Sequence, residues 1–169
     1  GTAAALKLST DLWGGPNSLG LMDYGGFMLN LGCFIGCVGF SVYFNIHGPG
    51  ILVCAIGGIL TWSTYLLALH LGIGVIYANF IGGIVASVYA EIMARVRHFP
   101  AISYLVVSLF PLLPGAGIYY TMAFAVENDM TSFAARGYQT AAIAGALALG
   151  ILLVSTAFRI WSNYLMKKK

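Results

Sequence analysis

The sequence predicts an all-α protein that crosses a membrane about five times, with one crossing broken at a Pro/Gly segment. Three observations lead there. Hydrophobic residues make up 60% of the 169-residue chain and charged ones only 8%, against roughly 25% charged in an average soluble domain. The apolar residues gather into stretches separated by short Gly, Pro, Asn and charged clusters, and the length accommodates about five helices of the ~20 residues a bilayer requires. Finally, Phe110-Pro111-Leu112-Leu113-Pro114-Gly115-Ala116-Gly117 interrupts an apolar stretch whose flanks, Ala101 to Phe110 and Ile118 to Val126, are each too short to span but together long enough.

Three parts are expected: a lead-in over residues 1–21, a transmembrane domain over 22–166 and a basic tail over 167–169. The lead-in has a turn at Gly14-Gly15-Pro16-Asn17 and an interfacial helix is read over Ala3 to Leu12. It lacks the continuous apolar core of a cleavable signal peptide. The first crossing is predicted from Met22 to Ile46. Gly25, Gly32, Gly36 and Gly39 share one face of it, and Gly32-x-x-x-Gly36 is the spacing that lets helix backbones approach closely. It ends in a polar turn through His47, with Asn45 as a capping residue.

The second crossing runs from Gly50 to about His70, with Gly57 and Gly58 at mid-depth. The third runs from Gly72 or Gly74 to about Arg95, and Gly82, Ala86 and Ala90 repeat every four residues beside a Gly83–Ser87 ridge. That is a second small-residue packing face. Glu91 and Arg95 are four apart and can pair. Arg95, Arg97 and His98 make a short basic loop ending at Pro100. The broken crossing then spans Ala101 to about Glu127. A polar loop is expected over Asn128 to Gly137, and a last crossing over Tyr138 to about Tyr164, where Ala142, Ala146 and Gly150 again repeat every four.

At the break, Pro111 removes a backbone donor and clashes with the preceding turn. Pro114 suits the first turn of a new helix, where a missing N–H costs nothing. Gly115 and Gly117 leave the backbone uncovered. Irregular backbone at membrane depth is tolerated only when buried in protein or lining a wet cavity, and broken helices mark binding sites in secondary transporters. The plainer reading is a Pro-kinked packing helix that binds nothing. Tyr119, Tyr120 and Thr121 follow the break, placed either to touch a substrate or merely to pack.

Ionisable groups are few. Glu91 is read either as an ion-pair partner of Arg95 or as a proton-coupling group, because membrane-embedded carboxylates are functional by default. Glu127 is read either as an exposed loop residue or as a gate or ion-coupling residue. Asn79 is expected to hydrogen-bond to a neighbouring helix. Cys33, Cys37 and Cys54 lie in apolar runs and indicate neither a disulfide nor, with the histidines scattered, a metal site. No catalytic triad, phosphate loop or metal spacing is present, so neither an enzyme nor a cofactor is expected.

The formal charge of +3 comes largely from Lys167, Lys168 and Lys169. With no second basic cluster, this reads as a cytoplasmic anchor and not a nucleic-acid patch. Five crossings place that tail and the Arg95–His98 loop on one side, the cytoplasm, and the N-terminus outside. A hairpin at the break would place them on opposite sides, so charge favours a broken crossing. With no internal repeat and little polar material, the chain reads as part of a transport unit. Another subunit or copies of itself would supply the rest.

Val38-Gly39-Phe40-Ser41-Val42-Tyr43-Phe44-Asn45, the third helix with its basic loop and Pro100, and Phe110 to Tyr119 together resemble the threonine/serine exporter family. The closest likeness is to its small membrane subunit, or to the equivalent C-terminal membrane domain of fused members. The resemblance covers about Phe27 to Tyr164, and residues 1–21 depart from it and are read as native only in part. It implies a multi-pass protein of the bacterial inner membrane. Such a protein exports small hydroxy amino acids, or small dicarboxylates such as succinate, on an ion gradient. It also implies a second subunit with its own membrane helices. The rival is a structural or assembly subunit. All these substrates carry a carboxylate, and no Lys or Arg lies near the break. The expected receptor is therefore the N-terminus of the second half-helix, the N–H groups of Gly115, Ala116 and Gly117, with Tyr119 or Tyr120 alongside.

Overall fold

The computed structural model describes residues 25–46, 48–97 and 99–166. The lead-in, His47, His98 and the lysine tail lie outside the described residues. Among the described residues six α-helices follow one another: α1 Gly25–Tyr43, α2 Gly50–His70, α3 Val75–Arg97, α4 Ala101–Leu109, α5 Gly115–Val126 and α6 Met130–Met166, with a 3-10 turn Phe110–Leu112 after α4. Among the described residues there is no strand. α2, α3 and α6 are each long and apolar enough to cross a membrane. The run Ala101–Leu112 and α5 qualify together as a fourth span, bent by 56°. The described apolar part of α1, Asn30–Tyr43, is shorter, so the fifth expected crossing rests on that helix.

The protein is thus an all-α polytopic membrane protein. Its surface agrees: Leu52, Ile56, Leu60 and Leu67 of α2 all lie exposed along one stripe, as lipid-facing residues do. The interior is built from small residues, with Cys37, Cys54, Ala55, Ala86 and Ala90 buried. In lipid, close backbone approach and van der Waals packing replace the hydrophobic drive between helices.

The expected polar loop over Asn128 to Gly137 is mostly helix. Three tight C-caps explain this and the other turns. Asn45, Gly72 and Asn128 all have positive φ (57°, 78° and 59°). Each sits one residue before an N–H that reaches back five residues: Ile46 to Ser41, Ile73 to Ala68 and Asp129 to Phe124. This is the Schellman closure, in which Gly or Asn takes the left-handed position. After Asn128, Asp129 starts the next helix at once. Its carboxylate accepts from the Ser132 N–H at 3.2 Å and from the Thr131 hydroxyl at 2.6 Å, the N-cap arrangement. α6 therefore has 37 residues, about 55 Å of helix against a hydrocarbon core of ~30 Å.

The chain divides into two units, Gly1–Gly32 and Cys33–Lys169. Within the second, α3 is central and packs on α2, α4 and α6. Its small residues make this possible: Gly82, Gly83, Ala86, Ser87 and Ala90 are all buried. A Cβ at Gly150 of α6 would lie 2.7 Å from Phe80 O and 3.2 Å from Ile84 N. Both are backbone atoms, so the helices would have to part, an overpacking that costs about 1–3 kcal/mol.

Candidate functional site

The break is assembled in two unequal halves. Its first half is wedged into the bundle. The Phe110 ring packs against Phe40 of α1, tilted by 35° with centroids 3.6 Å apart. Pro111 faces Gly58 of α2, where its Cγ lies 3.8 Å from the position a Cβ would take. Leu112 is 5% exposed and fills the notch left by Gly82 of α3, where a Cβ would lie 2.5 Å from its Cδ1. Gly82 therefore receives the break, while Gly58 mainly makes room for the Cys37 thiol of α1 and touches Pro111 only at ordinary contact distance.

The second half turns outward. Pro114 has φ −77° and ψ 50°, near the inverse γ-turn, and the Gly115 N–H donates to Leu113 O at 2.7 Å. That removes Gly115 from the expected donor set. The Ile118 N–H reaches Pro114 O at 3.0 Å. Among the described residues, the N–H groups of Ala116 and Gly117 find no backbone acceptor. They are the open donors of the α5 N-terminus, where helix dipoles favour an anion. Gly115 supplies openness: nothing lies within 4 Å of where its Cβ would be.

Gly117 is a packing residue as well. Its Cβ would meet Thr140 Oγ1 of α6 at 2.5 Å, and one turn on Gly137 of α6 faces Thr121 Cγ2 at 3.5 Å. These reciprocal Gly–Thr contacts seat α5 on α6. Thr140 and Gly137 were not among the expected site residues; Gly137 closed the expected polar loop and Thr140 lay in the expected last crossing. No residue of α5 is buried. Tyr119 and Tyr120 are exposed and lie edge to face, 5.4 Å between ring centroids. Measured along the first half, the bent pair advances about 28 Å, close to the hydrocarbon thickness.

Glu91 pairs with Arg95, Oε2 to Nη1 2.6 Å, and the Arg95 guanidinium lies 4.7 Å from the Phe158 ring centroid of α6. The pair is partly exposed and lies within α3, with ~0.3–0.5 kcal/mol expected of it, and the Arg95–Phe158 contact is what links α3 to α6. Glu127 is exposed at the C-terminal end of α5, its N–H spent on Ala123 O at 3.0 Å. The break brings neither carboxylate against it. Asn79 differs from expectation: its Nδ2 donates to Val75 O of its own helix at 2.8 Å. Among the described residues nothing lies within 4 Å of a notional Cβ at Gly36 or Gly39, whereas Gly82 and Ala86 are consumed inside the bundle. Sequence reading placed Ser87 on a packing ridge and did not single out Ser108. The buried hydroxyls of Ser87 and Ser108 have no hydrogen-bond partner among the described residues, and Ser108 lies against Gly57.

A family model described as Threonine/Serine exporter, ThrE, matches residues 30–157, from within α1 to within α6. The chain belongs to the threonine/serine exporter family. No match was found among curated proteins or among solved structures. Membership makes this a membrane-embedded transporter of exporter type with a small-molecule substrate. The matched stretch contains the whole break, its receiving Gly82 and the α5–α6 seat. In this threonine/serine exporter family member, the wedged half fixes one end of the irregular segment while the α5 half leaves amide donors at its tip.

Proposed function

We propose that this chain is the membrane subunit of a secondary exporter of threonine and serine in the bacterial inner membrane, working with a second subunit that has its own helices. The observation that carries this reading is the broken span, with the Ala116 and Gly117 N–H groups uncommitted beside an uncovered Gly115. A carboxylate docks there on amides and the partial positive charge of α5, without a buried arginine. Tyr119 and Tyr120, one turn further on, flank the rest of the substrate. The Leu113–Gly115 turn is the joint at which α5 and its seat on α6 shift against the wedged half. Glu91 and Glu127 are the carboxylates available for ion coupling, and Glu91 would have to leave Arg95 to serve. The open Gly36–Gly39 face of α1 receives the second subunit. The N-terminus lies outside and the basic α3–α4 turn and the C-terminus lie in the cytoplasm, following the positive charges.

Counterflow of labelled threonine, serine and succinate in vesicles, with and without the second subunit, tests the reading. Threonine and serine exchange is expected, and Gly115→Val should abolish it while insertion is normal. Each charge-assisted hydrogen bond lost costs about 1.5–3 kcal/mol, roughly 10- to 150-fold in affinity. Exchange of succinate alone would move the assignment to dicarboxylates. No exchange of any acid, with the complex assembled, would leave an assembly role.

A further inference from the structure

At one end of the bundle, α1 turns into α2 and α3 turns into α4. Between these turns lies a cavity of ≈ 260 Å³ lined by Phe44, Asn45, Ile46, Gly50, Arg97, Phe99, Ser103 and Tyr104. We propose that this cavity is a second anion site, which receives the carboxylate of a small acid before the acid reaches the break. The proposal deepens the exporter reading above and rests on it for the direction of travel.

Two groups point to a ligand. Arg97 has no ion-pair partner among the described residues, although it lines an otherwise largely apolar wall. Tyr104 is 2% exposed, and its ring belongs to the core formed with Cys37, Cys54 and Val107. It nevertheless lines the cavity, and its hydroxyl has no hydrogen-bond partner among the described residues. The ring is buried while the hydroxyl opens on the cavity, so whatever the cavity holds, water or ligand, is its partner. An unpaired guanidinium and an unpartnered phenol lining one cavity offer a carboxylate a charge-assisted donor and a hydroxyl donor from different helices. Asn45 and Ser103 add polar groups at the rim.

Size and shape set the class of ligand. The volume equals roughly nine waters, enough for an acid of threonine's or succinate's size and too little for a nucleotide. Apolar walls with a few convergent polar groups are the usual make-up of a small-molecule site. The cavity sits at the basic end of the bundle, where the positive charges attract anions from the adjoining water. A lipid phosphate offers similar chemistry, and the experiment separates the two.

Phe99 is 61% exposed and lines the cavity, so Phe99→Cys reports on it. The full chain is placed in nanodiscs of zwitterionic lipid and labelled with a water-soluble thiol reagent. The unmodified chain is labelled in parallel to account for Cys33. Threonine or succinate should slow labelling of Phe99→Cys in a saturable way. Arg97→Gln and Tyr104→Phe, each added to the reporter, should raise the half-protecting concentration about tenfold or more, and Arg97→Lys should recover part of it. Absence of protection by either acid, or protection untouched by both variants, overturns the proposal. So does slow labelling seen only in discs containing phosphatidylglycerol, to which neither acid adds, since the cavity would then hold a lipid headgroup. Counterflow without protection removes this site and leaves the exporter reading standing. Protection without counterflow upholds the site while the exporter reading falls.

Discussion

Replacing Gly117 by alanine separates packing from ligand binding at the break. The new Cβ would sit 2.5 Å from Thr140 Oγ1 and 3.2 Å from its Cγ2, with Thr140 Cβ already at 3.4 Å, where ordinary contact begins. The hydroxyl must retreat by about 0.9 Å, yet it is held by a 2.8 Å bond to Arg136 O. Overpacking of this kind costs about 1–3 kcal/mol, and the better helix propensity of alanine returns at most about 1 kcal/mol. A net destabilisation of roughly 1–2 kcal/mol follows. Thr140→Ala removes both offending atoms and leaves only the 3.4 Å contact. In that background Gly117→Ala should be neutral or slightly stabilising. The coupling in the four-protein cycle should reach about 1–3 kcal/mol, as for residues in direct contact. Reversible unfolding of the four purified proteins in mixed detergent measures it. The same cycle run with Gly115→Ala should show no coupling, because nothing surrounds that position. Additivity of Gly117→Ala and Thr140→Ala within about 0.5 kcal/mol would refute the seating of α5 on α6.

Leu112→Ala should destabilise the protein by about 2–5 kcal/mol, because it empties the notch at Gly82; unfolding of the same kind reads it, and a loss below 1 kcal/mol would mean the break is not wedged as described. Asp129 lies in the turn outside the spans, and hydrogen bonds from Ser132 and Thr131 pull its pKa from the ordinary 3.8 down to about 2. Since the folded value is the lower one, its capping contribution should be complete above the ordinary value and fade as pH falls toward about 2. Asp129→Asn should remove that acid dependence in thermal melts, with no change between neutral and alkaline pH. Gly36→Leu meets open space among the described residues, so it should leave the unfolding of the isolated chain nearly unchanged while weakening co-purification with the second subunit. Equal co-purification would show that this face is not the joint.

The class of the protein and most of its boundaries were legible in the sequence, because a bilayer imposes one requirement that composition alone reveals. Every backbone group must be paired within the segment, so long apolar runs become helices. The break was legible for the converse reason: Pro111 and Pro114 lack donors and cannot continue a helix whatever surrounds them. Local chemistry also held the start of α6, since Asn128 in the left-handed position and Asp129 as an N-cap are readable signals. They were outweighed in the reading by the polar residues that follow, which a helix carries equally well beyond the membrane.

Only the tertiary structure decided how the small residues are used. Gly36, Gly82 and Gly117 look alike in sequence, since a missing side chain does not say what comes near it. In the fold, Gly82 receives Leu112, Gly117 receives Thr140 and Gly36 receives nothing among the described residues. Donor supply is likewise a property of the turn and not of residue type. Gly115 spends its N–H on Leu113 because Pro114 adopts a γ-turn, a choice between allowed conformations that packing makes. The cavity at Arg97 and Tyr104 was invisible for the same reason. Its wall comes from two turns more than fifty residues apart, and only folding brings them together.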